Sequence, residues 1–500
     1  MNKTYIESPN TLPVYDECDV LVVGGGAAGH SAALAAARAG AEKVILMERY
    51  GYFGGDATGG YVIMLPHLSW RKYPMVRGIQ EEWCLRIEKN QPDACLGPSY
   101  EDLGKTDPIL LDRWESIVGC TNPRSVTYNR VIRSWYFEPN QLKIELDMMI
   151  QEEPNIKALL HCWGTKPIME GNTIKGVIFE SKEGRQCIFA KVVIDATGDG
   201  DIFQQAGAPC LGDIKQEDRK VAFTAGNLGT RFTKTALVWR MGGIDWEAYC
   251  EWRRHHPELH KSFVDGMCKI AGYQTFFLPS ERNDVCWANN LLPYSCIEIE
   301  GLKNTEFMVR NSIRKIIKYA KEALPLAFRN AYLYDIAPQL GTRGSRRIEG
   351  EYVMTKLDFA CHITHDDVIA WHSCLPHITD GVPVEIPYRC ILPKKVENLL
   401  CPGRHLSADD GAIDMLNLIP QCVGTGQAAG VAAAVAAQDN TTTHNVDIKR
   451  VQKILCYEQN VPLPRQENTD PELVKELEDC KYGTMTPVAI KVRQEAGLDW

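Results

Sequence analysis

The sequence predicts an α/β fold, a parallel sheet with helices on its faces, interrupted by an α+β region. Three observations carry this. Four apolar β-formers, Val20-Leu21-Val22-Val23, run into a glycine-rich turn. That turn opens a helix of small residues, and a second apolar strand then ends on an acid, Glu48.

Each element has a physical reason. An unbroken apolar run, rather than an alternating one, suits a strand covered on both faces in a parallel sheet. Gly24-Gly25-Gly26-Ala27-Ala28-Gly29 satisfies G-x-G-x-x-G, and the helix Ser31 to Ala39 closes at Gly40. Lys43 to Met47 forms the second strand, and Glu48 stands nineteen residues after Gly29. Strand, turn, helix, strand and acid in this order give the spacing that dinucleotide binding requires. Gly24 permits the tight turn, Gly26 lets the backbone approach a pyrophosphate, and Gly29 lets the helix lie close to the strand. The phosphates would sit on the helix N-terminus, where unpaired N–H groups and the dipole favour negative charge. Glu48 suits the two hydroxyls of a ribose and repels a 2′-phosphate, so a non-phosphorylated dinucleotide is expected.

Composition narrows the class. Against 64 Asp+Glu the 55 Lys+Arg leave a net charge of −9, so no general positive field favours nucleic acid. Hydrophobic residues at 45% and charged residues at 24% describe an ordinary folded protein. Among the 18 cysteines no C-x-x-C or C-x-x-x-x-C occurs, which removes the ligand spacing of ferredoxins and zinc knuckles and the paired cysteines of disulfide reductases. The polar N-terminus reads as no secretory signal, and a cytoplasmic chain with free thiols is expected. Two charge-free stretches, Val20 to Ala37 and Met415 to Gln438, are dominated by Gly and Ala and lack the apolar density of membrane spans. The Gly/Ala run at 424–437 reads instead as a packed helix.

Further stretches carry a resemblance. Glu48 to Thr58 is an acid followed by a Gly-Gly loop. Lys191 to Ile194 is a strand leading into Asp195-Ala196-Thr197-Gly198-Asp199-Gly200-Asp201. Asn398 to Arg404 precedes Gly424-Thr425-Gly426-Gln427-Ala428-Ala429-Gly430, which is expected to open an Ala-rich helix. With Gly341 to Thr355 and Ile386 to Lys394, these resemble the FAD-dependent oxidoreductase family, whose members carry "GTRxSRRIxGEYxLT" and "IPYRxLxPK" segments. The resemblance covers roughly residues 17 to 440. It implies a Rossmann-like FAD-binding domain that is discontinuous in sequence, built from 17–75, 140–210 and 385–440. Residues 76–139 and 211–384 would form substrate or cap regions, and 441–500 a C-terminal extension.

The expected FAD contacts, non-covalent, are Gly24, Gly26, Ala27, Ala28, Gly29, Glu48, Arg49, Gly54, Gly55, Ala57, Thr58, Ala196, Thr197, Gly198, Asp199, Gly403, Gly424, Gly426 and Gln427. One departure stands out. Where relatives carry an Arg before the last helix, this chain reads Asp409 to Pro420 without one.

No second nucleotide fingerprint follows, because Leu416 to Ile419 is broken by Asn417 and ended by Pro420. Electrons are therefore expected to pass between flavin and a small-molecule substrate, with an external acceptor or donor completing the cycle. Candidate acid/base groups are His372 and His377. Arg343 and Arg347, with Arg346 between Gly/Ser and an apolar strand, are candidates to hold an oxyanion. His362 and His365 read as solvated histidines at the start of a helix that Asp366 and Asp367 help to cap, and no metal is expected. Arg253 to His256 reads as an exposed helix face, and His67 as a wall or core residue rather than a flavin attachment point. The expected activity is hydride transfer at a hydroxyl- or amine-bearing carbon. The alternatives are reduction of an activated C=C bond, with Arg343 or Arg347 as the acid, and an electron-relaying flavoprotein subunit. A homo-oligomer is allowed for; a nucleic-acid partner and a membrane span are not.

Overall fold

The computed structural model describes residues 4–96, 99–103, 134–212, 235–280, 282–373, 382–480 and 487–498. His377 lies outside them, as do parts of 76–139 and 211–384.

The main sheet is built from β1 (Val14–Val23), β2 (Val44–Glu48), β3 (Ile156–Leu160), β4 (Trp163–Glu170), β5 (Thr173–Ser181) and β6 (Gly184–Asp195), in the order β3-β2-β1-β6-β5-β4. The first four of that order run parallel; β5 and β4 are added antiparallel. Val20 pairs with Val44 on one side and Val192 on the other, and Val20, Leu21 and Val22 are wholly buried, which explains why the apolar run does not alternate. A short strand, Leu399–Leu400, pairs in parallel with Val193 and Ile194 at the end of β6.

Between β1 and β2 runs α1 (Ala27–Arg38), which starts four residues earlier than the helix read from sequence, directly from Gly26. It is covered by helix Ile419–Asp439. That helix does not open at Gly424, as expected, but at Ile419. Pro420 lies in its first turn, where a missing N–H costs nothing and the fixed φ is already helical.

A separate four-stranded antiparallel sheet forms the α+β region. It consists of β7 (Trp239–Gly242), β8 (Gln274–Pro279), β9 (Val285–Leu291) and β10 (Tyr332–Ile336), ordered β8-β9-β7-β10. Helix Ile299–Ala323 packs Val309, Ile313 and Ile316 into its own core with Trp239, Phe263, Phe277 and Phe328.

The described part of 76–139 packs elsewhere than the four-stranded sheet. Ile79, Trp83, Trp135 and Phe137 join the core that surrounds α1. Residues beyond 440 do the same through Val451, Leu455, Val461 and Leu463, and the Gln459 amide donates to the Ala35 carbonyl at 2.9 Å. Among the described residues no helix is long and apolar enough to cross a membrane.

Candidate functional site

The glycine turn after β1 is held on both sides. The Gly24 N–H donates to the Met47 carbonyl and the Ala196 N–H to the Val23 carbonyl, each at 2.8 Å. Gly24 has φ +99°, and a Cβ there would stand 2.5 Å from the Ala196 oxygen. Gly26 is the opposite case. It caps α1 without a side-chain hydrogen bond, and a Cβ on it would meet only Gly55, at 3.8 Å. The helix N-terminus therefore faces open space.

That space is a cavity of about 890 Å³ including its open mouth, at the C-terminal ends of the parallel strands. Its wall near β2 carries Glu48 and Arg49. Glu48 is buried and accepts from the Gly25 N–H at 2.6 Å and the Tyr50 N–H at 2.8 Å; burial raises its carboxyl despite these bonds. The Arg49 guanidinium lies 5.0 Å from the Tyr50 ring centre and 5.5 Å from that of Trp163.

Another part of the wall, carrying Asp56, Asp201 and Arg404, is backed by Asp199, Ser345 and Arg346 in a charged cluster drawn from four segments. Arg404 Nη1 is 3.3 Å from Asp56 Oδ2, and Nη2 is 3.2 Å from Asp199 Oδ1. Asp199 also accepts from the Ser345 hydroxyl at 2.7 Å, and the Arg346 guanidinium donates to its backbone carbonyl at 3.0 Å. Burial works to raise both carboxyls. At Asp199, Arg404 and Ser345 outweigh it and hold the group below the usual carboxylate range; at Asp56 burial wins over Arg404. Asp201 is pushed up to about 6 by burial and by Asp199 and Asp195. The loop that carries these acids is shaped by Asp195, whose carboxylate accepts from Thr197, Ile202 and Phe203 N–H groups.

Of the residues expected to hold FAD, Gly24, Gly26, Ala27, Ala28, Glu48, Arg49, Gly55, Ala196, Thr197, Gly198 and Gly403 line the cavity. Gly29, Gly54, Ala57, Thr58 and Asp199 stand behind that wall; the Thr58 hydroxyl, for example, donates to the Phe53 carbonyl. Gly424, Gly426 and Gln427 are not brought to it. They lie within helix Ile419–Asp439, where a Cβ on Gly424 would stand 2.5 Å from the His372 ring and one on Gly426 2.1 Å from the Ala28 oxygen. Gln427 accepts from the Ile79 N–H at 3.2 Å and donates to the Gln459 side chain at 3.0 Å. The helix reaches the cavity through Ile419 and Cys422 instead, and supports it through Thr425, whose hydroxyl accepts from the Gly403 N–H at 3.1 Å.

His372 ends strand Val368–His372, does not line the cavity, and is held near a pKa of 4 by burial. Arg347 is buried and paired with Asp410 at 2.5 Å. Arg343 is half-buried, and its carbonyl accepts from the Asn417 side chain at 2.8 Å. His365 is not solvated: it is buried 3.3 Å from Asp358, edge-on to Tyr352. The helix beside it, Lys356–Ala360, precedes it and is capped by Thr355 and Asp358 rather than by Asp366 and Asp367. His67 is buried and outside the cavity wall. Among the described residues no group of three His, Cys, Asp or Glu is arranged to hold a metal. Sequence reading passed over Asp56, Asp201, Arg404 and Asn417, all of which line the cavity. The first lies between two expected contacts and Arg404 directly follows one.

FAD fits this wall. The open cradle above Gly26 leaves room for phosphate against a helix N-terminus, Glu48 closes one end, and Arg404 Nε is a buried N–H with no hydrogen-bond partner among the described residues. The family described as FAD dependent oxidoreductase matches residues 19–455. No protein of curated function matches the sequence. Solved structures of similar shape include a geranylgeranyl bacteriochlorophyll reductase-like protein from Thermoplasma acidophilum, 15% identical with a TM-score of 0.43 over 96% of each chain. The p-nitrophenol 4-monooxygenase PnpA from Pseudomonas putida DLL-E4 is 12% identical, with a TM-score of 0.43 over 97% of this chain and 93% of that one. The myxobacterial chondrochloren halogenase CndH is 12% identical, with a TM-score of 0.41 over 93% and 79%. Likenesses this distant add nothing on substrate. With a family match over most of its length, the chain belongs to the FAD-dependent oxidoreductases.

Proposed function

We propose that this protein transfers a hydride between FAD and a small polar organic substrate, oxidising a carbon that bears a hydroxyl or an amine. FAD, when bound, supplies acceptance and release of the hydride at a ring nitrogen. The turn Gly24 to Ala28 would hold its pyrophosphate, Glu48 its adenosine ribose, and Gly198 and Gly403 the chain beyond. The rest of the work, positioning the substrate and moving its proton, falls to side chains of this protein.

One observation carries the assignment of those side chains. The Gln421 amide, in the first turn of helix Ile419–Asp439, donates to the Ser373 carbonyl at 3.1 Å. That bond holds the residue after His372 to the helix whose Ile419 and Cys422 line the cavity. His377 follows five residues after His372 in the sequence. We assign His377 as the base that takes the substrate proton, because His372 itself is buried off the cavity. Arg343, which is not itself in the cavity lining but whose charge acts on the cavity-lining Asp56, would hold the substrate oxygen or carboxylate. In the alternative reading, reduction of an activated C=C bond, Arg343 is the acid, since Arg347 is engaged by Asp410. Electrons leave to an external acceptor.

Anaerobic half-reactions test this. Bleaching of the oxidised flavin by a hydroxy or amino compound supports oxidation, with His377→Gln slowing that step by about 10²–10⁴ at unchanged FAD content. Reoxidation of pre-reduced enzyme by an unsaturated acceptor, with no bleaching by any alcohol or amine, favours the alternative.

A further inference from the structure

Two cationic side chains line the cavity among the described residues, Arg49 and Arg404. Arg49 is stacked against Tyr50 and Trp163 beside Glu48. Arg404 sits elsewhere. A Cβ on Gly198 would stand 2.7 Å from its Cζ, and a Cβ on the adjacent Gly403 would touch Ala28, in the first turn of α1, at 3.0 Å. The guanidinium therefore lies against Gly198, and the backbone that carries it passes the first turn of α1 at Gly403, all three residues on the cavity wall.

Its present partners hold it loosely. Charge-assisted N–H to carboxylate bonds run at about 2.7–2.9 Å and arginine prefers two per carboxylate, yet Arg404 makes one contact of 3.3 Å to Asp56 and one of 3.2 Å to Asp199. Nε has no partner. The two carboxylates are also unequal. Asp199 is further anchored by the Ser345 hydroxyl at 2.7 Å, while Asp56 receives the Gln339 amide at 3.4 Å and a backbone N–H from Thr342, with the Arg343 charge also nearby.

We propose that Arg404 is the cavity's pyrophosphate-binding cation, kept between Asp56 and Asp199 until the phosphates of the cofactor draw it off Asp56. This rests on the FAD reading. A guanidinium without a counter-charge would be costly in so enclosed a place, so the carboxylates keep it folded in position when no phosphate is present. The consequence has a sign. Arg404 attracts phosphate, whereas the charge of Asp56 competes with it, so removing one weakens binding and removing the other strengthens it.

The experiment uses full-length, deflavinated protein titrated with three probes: FAD, ADP and riboflavin, which lacks phosphate. Arg404→Gln is expected to weaken FAD and ADP by about tenfold or more, the worth of a hydrogen bond to a charged group, and to leave riboflavin affinity within about twofold. Asp56→Asn is expected to tighten FAD and ADP. Equal loss of riboflavin and FAD affinity in Arg404→Gln, or weaker ADP binding in Asp56→Asn, overturns the assignment and makes the pair a structural one. If Arg404→Gln fails to fold, the Asp56→Asn arm and the double variant, which restores the charge balance, decide the matter. Wild-type protein that binds ADP but neither FAD nor riboflavin contradicts the FAD reading instead, and Arg404 is then judged on ADP alone.

Discussion

Gly29 lies so close to the Gly24 carbonyl that a Cβ at position 29 would stand 1.7 Å from that oxygen, whereas a Cβ at Gly26 would meet nothing nearer than 3.8 Å. Two glycines of one motif thus do different jobs, and substitution separates them. Gly26→Ala should fold with a melting temperature near the wild type, since Gly and Ala differ by about 1 kcal/mol or less at a helix cap, and should lose FAD because its methyl occupies the cradle. Gly29→Ala should lose about 1–3 kcal/mol of stability, as overpacked sites do. Thermal melts and flavin content, read side by side, check both.

The contact between α1 and helix Ile419–Asp439 gives a second case. A Cβ on Gly430 would stand 2.1 Å from the Ala32 oxygen, so Gly430→Ala should lower the melting temperature by several degrees while the residual folded protein still takes up FAD. Unchanged stability would contradict a backbone contact at this crossing.

Two buried histidines make the fold acid-sensitive. Burial holds His30 and His372 near a pKa of 4, below the ordinary 6.5. Between those values the unfolded chain binds more protons than the native one, so stability falls as pH drops from about 6.5 to 4, by roughly 3 kcal/mol for each group. Denaturant titrations across that range should show the loss, and His372→Gln should remove part of it.

Asp201 acts with the opposite sign. Its carboxyl is raised to about 6, so the native state binds the extra proton and stability falls as pH rises through that value. Asp201→Asn should gain about 1–2 kcal/mol at pH 7.5 and almost nothing at pH 4, a range set by the shift and reduced for partial exposure. A gain of equal size at both pH values would assign the effect to packing.

The βαβ unit was legible because its signals are local: an apolar strand, a turn needing glycine, a helix of small residues and an acid, all between Val20 and Glu48. The charged cluster was not. Asp56, Asp199 and Arg404 come from the ends of different segments, and nothing in the neighbourhood of any one announces the other two. His372 misled because a histidine near a pocket and one behind a helix read alike, and Gly424 misled because a glycine that admits a histidine ring resembles one that admits a phosphate. The four-stranded sheet was not legible, because the antiparallel order β8-β9-β7-β10 depends on long-range pairing that no local pattern encodes.

The most direct measurement is the flavin content and identity of the purified full-length protein and its Gly26→Ala variant. The wild type should be yellow and release one FAD per chain on denaturation, and the variant should be folded and colourless. A folded wild type that neither carries nor takes up FAD, or a Gly26→Ala variant with full FAD content, would contradict FAD binding at this cradle.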